Sequence, residues 1–311
     1  MSTRPLQTTV SPMKGRPAVL ANDSLLLLTS LIWGMAFVAQ RLGMEHMGPF
    51  TYNAARFALG SLCLLPLLAL RRHSTPAVSV PFLPAGMLAG VFLFCGASLQ
   101  QLGLVFTTAG KAGFITGLYV VLVPLLGLLW GQRAGWGAWS GALLCVAGLF
   151  FLSFTQTFGI ERGDLLVLLG AFFWAGHVQV LGWLSPRTDP VRLACIQFAI
   201  CAALSAAAAF ALEQPPFSGV LSGAGPVLYG GIMSVGVAFT LQVVAQRKSP
   251  PAHAAILLSM ESVFAALGGS VVLGERLGTR GVMGCALIFA GMIAAQLPVI
   301  VRGAVQGRPA P

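Results

Sequence analysis

Polar breaks divide this chain into ten apolar stretches: Ser24–Gly43, Phe50–Leu70, Phe82–Phe106, Ala112–Trp130, Trp136–Phe154, Asp164–Leu184, Val191–Leu212, Pro226–Ala245, Ala252–Leu273 and Gly281–Val301. Each holds about 20 residues, the length an α-helix needs to cross a hydrocarbon core of about 30 Å. Within lipid, every backbone N–H and C=O must be satisfied by its own segment, so each stretch is expected to be a helix. The expected fold is an all-α integral membrane protein with ten transmembrane helices. Composition agrees, with 57% hydrophobic and 8% charged residues against about 25% charged in soluble domains.

The net charge of +10 does not point to nucleic acid, because Lys and Arg stand one or two at a time between apolar spans and form no soluble basic patch. They read as topology signals. An even number of spans leaves both ends on one side. Placing both termini in the cytosol puts twelve basic residues there, among them Arg4, Lys14, Arg71, Arg133 and Arg247, against five outside: Arg41, Lys111, Arg162, Arg276 and Arg280. That is the positive-inside pattern, and the expected location is the cytoplasmic membrane. Connections carry turn chemistry at Gly48-Pro49, His73-Ser74-Thr75-Pro76, Asp189-Pro190 and Pro250-Pro251. Residues 1–22 read as a disordered cytosolic tail with no cleavable signal peptide, and 302–311 as a second cytosolic tail. The six cysteines all fall in apolar runs without CxxC spacing, so they read as packing residues.

The chain also repeats itself. Trp33 matches Trp174, and Arg56-Phe57-Ala58 matches Gln197-Phe198-Ala199, at an offset of 141; Gln100 matches Gln242 at 142; Gly141 and Gly148 match Gly284 and Gly291 at 143. Gly131-Gln132-Arg133 likewise matches Gly274-Glu275-Arg276. Each half, 23–156 and 163–301, holds five spans, so the second half enters the membrane from the opposite side. Two inverted five-helix repeats of this kind are typical of secondary transporters with a site between the halves near the midplane.

With the WG of Leu31-Ile32-Trp33-Gly34, Arg56-Phe57, the run Glu261-Ser262-Val263-Phe264-Ala265-Ala266-Leu267, and Gly274-Glu275-Arg276 followed by Gly284 and Gly291, the chain resembles the drug/metabolite transporter superfamily, EamA type, over about residues 24 to 301. The resemblance implies ten helices around a central cavity and export of amino acids, other metabolites or drugs. The Gly-Glu ending of the family repeat is Gly131-Gln132 in the first half, so that acid receives no chemistry here.

The candidate site residues are the polar groups inside the spans. Glu261 lies nine residues into its span, roughly 13 Å along the helix and near the midplane. An ionised group there costs on the order of 3 kcal/mol, which suits either an acid that carries a coupling proton or binds a cation, or a structural acid held by Ser259 and Ser262. Arg56 either holds a substrate carboxylate or phosphate or snorkels outward. Lys111 reads as a snorkelling cation, and its match His253 as an interfacial hydrogen-bonder. His177 follows Trp174 by three residues on the same helix face, either lining a cavity or packing its polar tip against another helix. Trp33, Gln40, Gln100, Gln242 and Tyr119, the match of Glu261, complete the set. Pro124 reads as a kink and a gate. GxxxG spacing at Gly86–Gly90, Gly113–Gly117, Gly127–Gly131 and Gly137–Gly141 reads as close helix contact.

Function follows from these readings as a hypothesis: a secondary transporter, exporting a small-molecule substrate by alternating access, with proton coupling and a homodimer left open and no cofactor implied. An intramembrane enzyme needs HExxH, GxSxG or a cluster of acids and histidines, and the spans contain none of these. A non-transporting scaffold does not need polar groups at matched depth in both halves.

Overall fold

The structure is a computed structural model that describes residues 16–70, 80–153, 162–274 and 278–306. Their helices are α1 (Arg16–Gly43), α2 (Pro49–Leu70), α3 (Phe82–Leu104), α4 (Ala109–Leu129), α5 (Trp136–Ser153), α6 (Arg162–Leu184), α7 (Pro190–Leu212), α8 (Ala224–Gln246), α9 (Pro251–Val272) and α10 (Thr279–Gln306). No strand occurs among the described residues. The chain is therefore the expected ten-helix membrane bundle. α1 and α10 run beyond the expected spans, so 16–22 and 302–306 are helical. Residues 1–15 and 307–311 of the expected tails, Arg71 to Pro76, and Glu275-Arg276 lie outside the described residues.

Helix ends follow local chemistry. Asp189 accepts from the backbone N–H groups of Val191 (3.1 Å) and Arg192 (2.9 Å), with Pro190 as the first helical residue of α7, an N-cap that satisfies donors the helix start leaves without an intrahelical partner. Proline also opens α2, but Gly48 before it has no side chain to cap with. The acceptor comes from the other half: the Glu213 carboxylate takes Phe50 N–H (2.7 Å), Thr51 N–H (3.0 Å) and the Thr51 hydroxyl (2.6 Å). The matched glycines Gly131 and Gly274 end α4 and α9 with φ of +69° and +70°, the left-handed stop that glycine supplies without strain.

Packing obeys the repeat. α1 packs on α8 and α9, and correspondingly α6 packs on α3 and α4; α2 meets α7, α4 meets α9 and α5 meets α10 across the pseudo-two-fold. The α5–α10 pair shows the symmetry at residue level. A side chain at Gly141 would strike the Gly291 carbonyl, and one at Gly148 would strike the Gly284 carbonyl. Each contact is the image of the other, as a two-fold interface requires, and each brings backbones together where apolar lipid supplies no competing force. Gly86 and Gly90 of α3 similarly receive Ile196 and Ile200 of α7.

Two helices are interrupted at matched places. α4 breaks at Leu118, between Ala109–Gly117 and Tyr119–Leu129, and α9 breaks at Ser259-Met260, between Pro251–Leu258 and Glu261–Val272. The kink expected at Pro124 is thus displaced. Pro124 sits inside the continuous second piece of α4, and the break falls where α4 crosses α9. Among the other helices, α8 carries a π stretch, Tyr229–Phe239, whereas the matching part of α3 is an ordinary α-helix.

Candidate functional site

The interrupted helices α4 and α9 bring Tyr119 and Glu261, each the first residue of its second half-helix, to the centre of the bundle. There a cavity enclosing about 480 Å³, open space included, is walled by α1, α2, α3, α4, α6, α8 and α9. Trp33, Arg56, Gln100, Tyr119, Gln242 and Glu261 all line it, with Gln40, Thr116, Trp174, Ser234 and Phe239. Gln40 and Arg56 line the wall while their matches Leu181 and Gln197 do not, so the cavity reaches farther toward the face where α2 begins.

Glu261 is 3% exposed. Its neighbour on α1 is Gly34, where any side chain would collide with the Glu261 carbonyl and Ala265 N; the glycine of the Trp33-Gly34 pair therefore lets α9 approach at the carboxylate. Glu261 Oε1 and the Tyr119 hydroxyl are both buried without a hydrogen-bond partner. Ser262, one of the two serines expected to hold the acid, instead donates to the Gly113 carbonyl at 2.8 Å. The other, Ser259, donates to the Ile256 carbonyl at 2.7 Å.

Arg56 is 2% exposed, and its surroundings are unusual for a cation. Its Nε donates to Asn53 Oδ1 at 3.0 Å, and the guanidinium carbon lies 5.2 Å and 4.8 Å from the centroids of the Tyr52 and Phe57 rings. No acid pairs with it among the described residues. The site thus holds a cation and an acid that face one cavity and do not neutralise each other.

Uncharged donors and acceptors share the rest of the wall with the apolar side chains of Ala36, Phe37, Val178, Phe239 and Leu258. Gln100 Oε1 accepts from Trp174 Nε1 (2.9 Å) and from the Thr116 hydroxyl (3.3 Å), and Gln100 Nε2 donates to Gln40 Oε1 (3.0 Å). Trp33 Nε1 donates to the Ser234 carbonyl at 3.2 Å. Gln242, 1% exposed, leaves its Oε1 unpaired.

Other expected residues stand elsewhere. His177 lies outside the cavity wall, fully buried, with Nε2 2.9 Å from Gln197 Oε1 and its ring edge-on to Trp174 and Phe239; of its two readings, packing of the polar tip is the one realised. Lys111 does not snorkel. Its Nζ lies 2.9 Å from Asp164 Oδ2 on α6, where Thr107 also donates to Oδ1 at 2.8 Å. Its match His253 places Nε2 2.9 Å from Asp23 Oδ1 on α1. Asp23 and Asp164 escaped the sequence reading, although their spacing of 141 is the repeat offset. Phe239 was also missed. It sits among Trp33, Trp174, Phe57, Phe198 and His177, the nearest ring centroid 4.4 Å away, but in sequence it is one more aromatic in an apolar span.

Two inverted halves enclosing a largely apolar cavity with a few buried polar groups at their crossing define the class of membrane transporters. The family model described as EamA-like transporter matches twice, at residues 21–154 and 161–295, and the chain belongs to that family. It is 32% identical over 276 residues to an uncharacterized transporter of Archaeoglobus fulgidus, covering 88% of this chain and 85% of that protein. It is also 29% identical over 259 residues to the uncharacterized inner membrane transporter YedA of Escherichia coli K12, covering 79% and 81%. A solved crystal structure shares the fold with a TM-score of 0.75 at 22% identity, over 90% of this chain and 97% of that one.

Proposed function

We propose that this transporter exports small metabolites, such as amino acids or drug-like compounds, across the cytoplasmic membrane by alternating access, with both termini cytosolic. The observation that carries the reading is the unneutralised pair on the cavity wall. Glu261 and Arg56 are both buried, and neither has an ion-pair partner among the described residues. Burying such groups without compensation is costly. A substrate amine or a coupling proton would relieve Glu261, and a substrate carboxylate or phosphate would relieve Arg56. The repeat units 23–156 and 163–301 would act as the two bodies that rock about the site. Because both halves of the wall come from one chain, the reading needs no second copy.

The test is the extracellular metabolite profile of cells expressing the wild type, Glu261→Gln or an empty vector at matched membrane levels. A small set of metabolites should accumulate outside only with the wild type. Where transport remains in Glu261→Gln, its dependence on pH should be lost. A profile identical to the empty vector would remove export from consideration, and unchanged pH dependence in Glu261→Gln would remove Glu261 from coupling.

A further inference from the structure

Two pairs of identical residues occupy matched positions in the two halves, Trp33 with Trp174 and Gln100 with Gln242, yet their hydrogen bonds differ. Trp174 donates to Gln100 Oε1 at 2.9 Å. The image of that bond, Trp33 to Gln242 Oε1, is not made: Trp33 donates to the Ser234 carbonyl in the π stretch of α8, and Gln242 Oε1 is buried without a partner. The asymmetry is not a general looseness of the repeat, because the matched pairs Lys111–Asp164 and His253–Asp23 are both made, each at 2.9 Å. The residues that hold Gln100 are not repeated around Gln242 either. Where Gln40 and Thr116 hold Gln100, the repeat places Leu181 and Leu258.

In a transporter built from inverted repeats, the second access state is reached when each half adopts the arrangement the other half has in the first. Resting on the alternating-access reading, we propose that Trp33 and Trp174 form a two-position hydrogen-bond switch. In the state described here Trp174 is bonded to Gln100; in the opposite state Trp33 leaves the Ser234 carbonyl for Gln242, and Trp174 leaves Gln100. Gln242 is thus a positioning residue for the state in which the cavity opens to the face where α1 begins.

The experiment is hydrogen exchange, read by mass spectrometry on the full chain in lipid nanodiscs, over residues 181–193 at the face closed here. Gln242→Leu removes an acceptor used only in the opposite state and should slow exchange there about fivefold, the effect of one net hydrogen bond. Trp174→Phe removes the bond to Gln100, and because the part of α3 that matches the π stretch is an ordinary α-helix whose carbonyls are held by its own turns, Trp174 gains no substitute acceptor in the opposite state; exchange should speed about fivefold. Trp33→Phe loses one bond in each state and should change it less than about twofold. A general change in stability moves exchange at both faces in the same direction, so residues 43–49 at the opposite face are read in parallel, and the switch requires exchange there to change in the opposite sense. Unchanged or faster exchange in Gln242→Leu, or slower exchange in Trp174→Phe, overturns the switch. If this happens while wild-type cells still export, alternating access stands without the switch; if export is absent too, both fall.

Discussion

Arg56 is the residue whose surroundings packing explains least. A guanidinium that is 2% exposed, held by one Asn53 bond and two aromatic faces, weakens the fold unless something arrives to pair with it. The second half places Gln197 at the matched position. Arg56→Gln should therefore leave the melting temperature in nanodiscs unchanged or raised, while export of an anionic or zwitterionic substrate falls by about tenfold or more, the loss of a charge-assisted contact. A melting temperature lowered by several degrees would make Arg56 a structural residue. At this scale polarity was the legible signal: Glu261, Arg56, Gln100 and Gln242 stand out in apolar spans, and all line the cavity. Direction around the helix was not legible. His177 is one turn from Trp174 but points at Gln197, and nothing in an apolar run marks Phe239 as the centre of an aromatic cluster.

At the scale of elements, the ends of the helices depend on distant groups as much as on local ones. α2 begins under the Glu213 carboxylate, which stands 163 residues away from Phe50. Glu213→Ala should strip two backbone N–H groups of their acceptor and lower stability by about 1–3 kcal/mol, with Glu213→Gln between it and the wild type in thermal unfolding. The matched stops offer a second check. Gly131 and Gly274 have positive φ and open space where a side chain would go, so Gly131→Ala and Gly274→Ala should each cost about 1 kcal/mol through the backbone alone. The two losses should add in the double variant. The glycines were visible in sequence as the endings of a repeat, and Pro124 was visible as a helix breaker. The actual breaks at Leu118 and Ser259-Met260 were not, because they arise where α4 and α9 cross and neither is marked by a proline.

For the molecule as a whole, the inverted repeat was readable from offsets of 141 to 143, since matched tryptophans, glutamines and glycines survive in both halves. What offsets alone could not reveal is which matched residues touch across the two-fold. Lys111 was read by itself, and only the fold sets Asp164 beside it. Lys111→Asp and Asp164→Lys should each lower thermal stability by about 2 kcal/mol, and the double variant should recover part of the loss; no recovery would mean that the pair does not join α4 to α6. The carboxylate at the centre bears on energetics in another way. Glu261 is the only acid among the described residues of the cavity wall, and the first half supplies a phenol, Tyr119, in its place. A cycle coupled through Glu261 therefore has a stoichiometric ceiling of one proton per turnover. For an uncharged substrate exchanged against that proton, a membrane potential of about 100 mV supplies about 2.3 kcal/mol, a concentration ratio of about fiftyfold. A steeper ratio driven by the potential alone would locate a second coupling group outside this cavity.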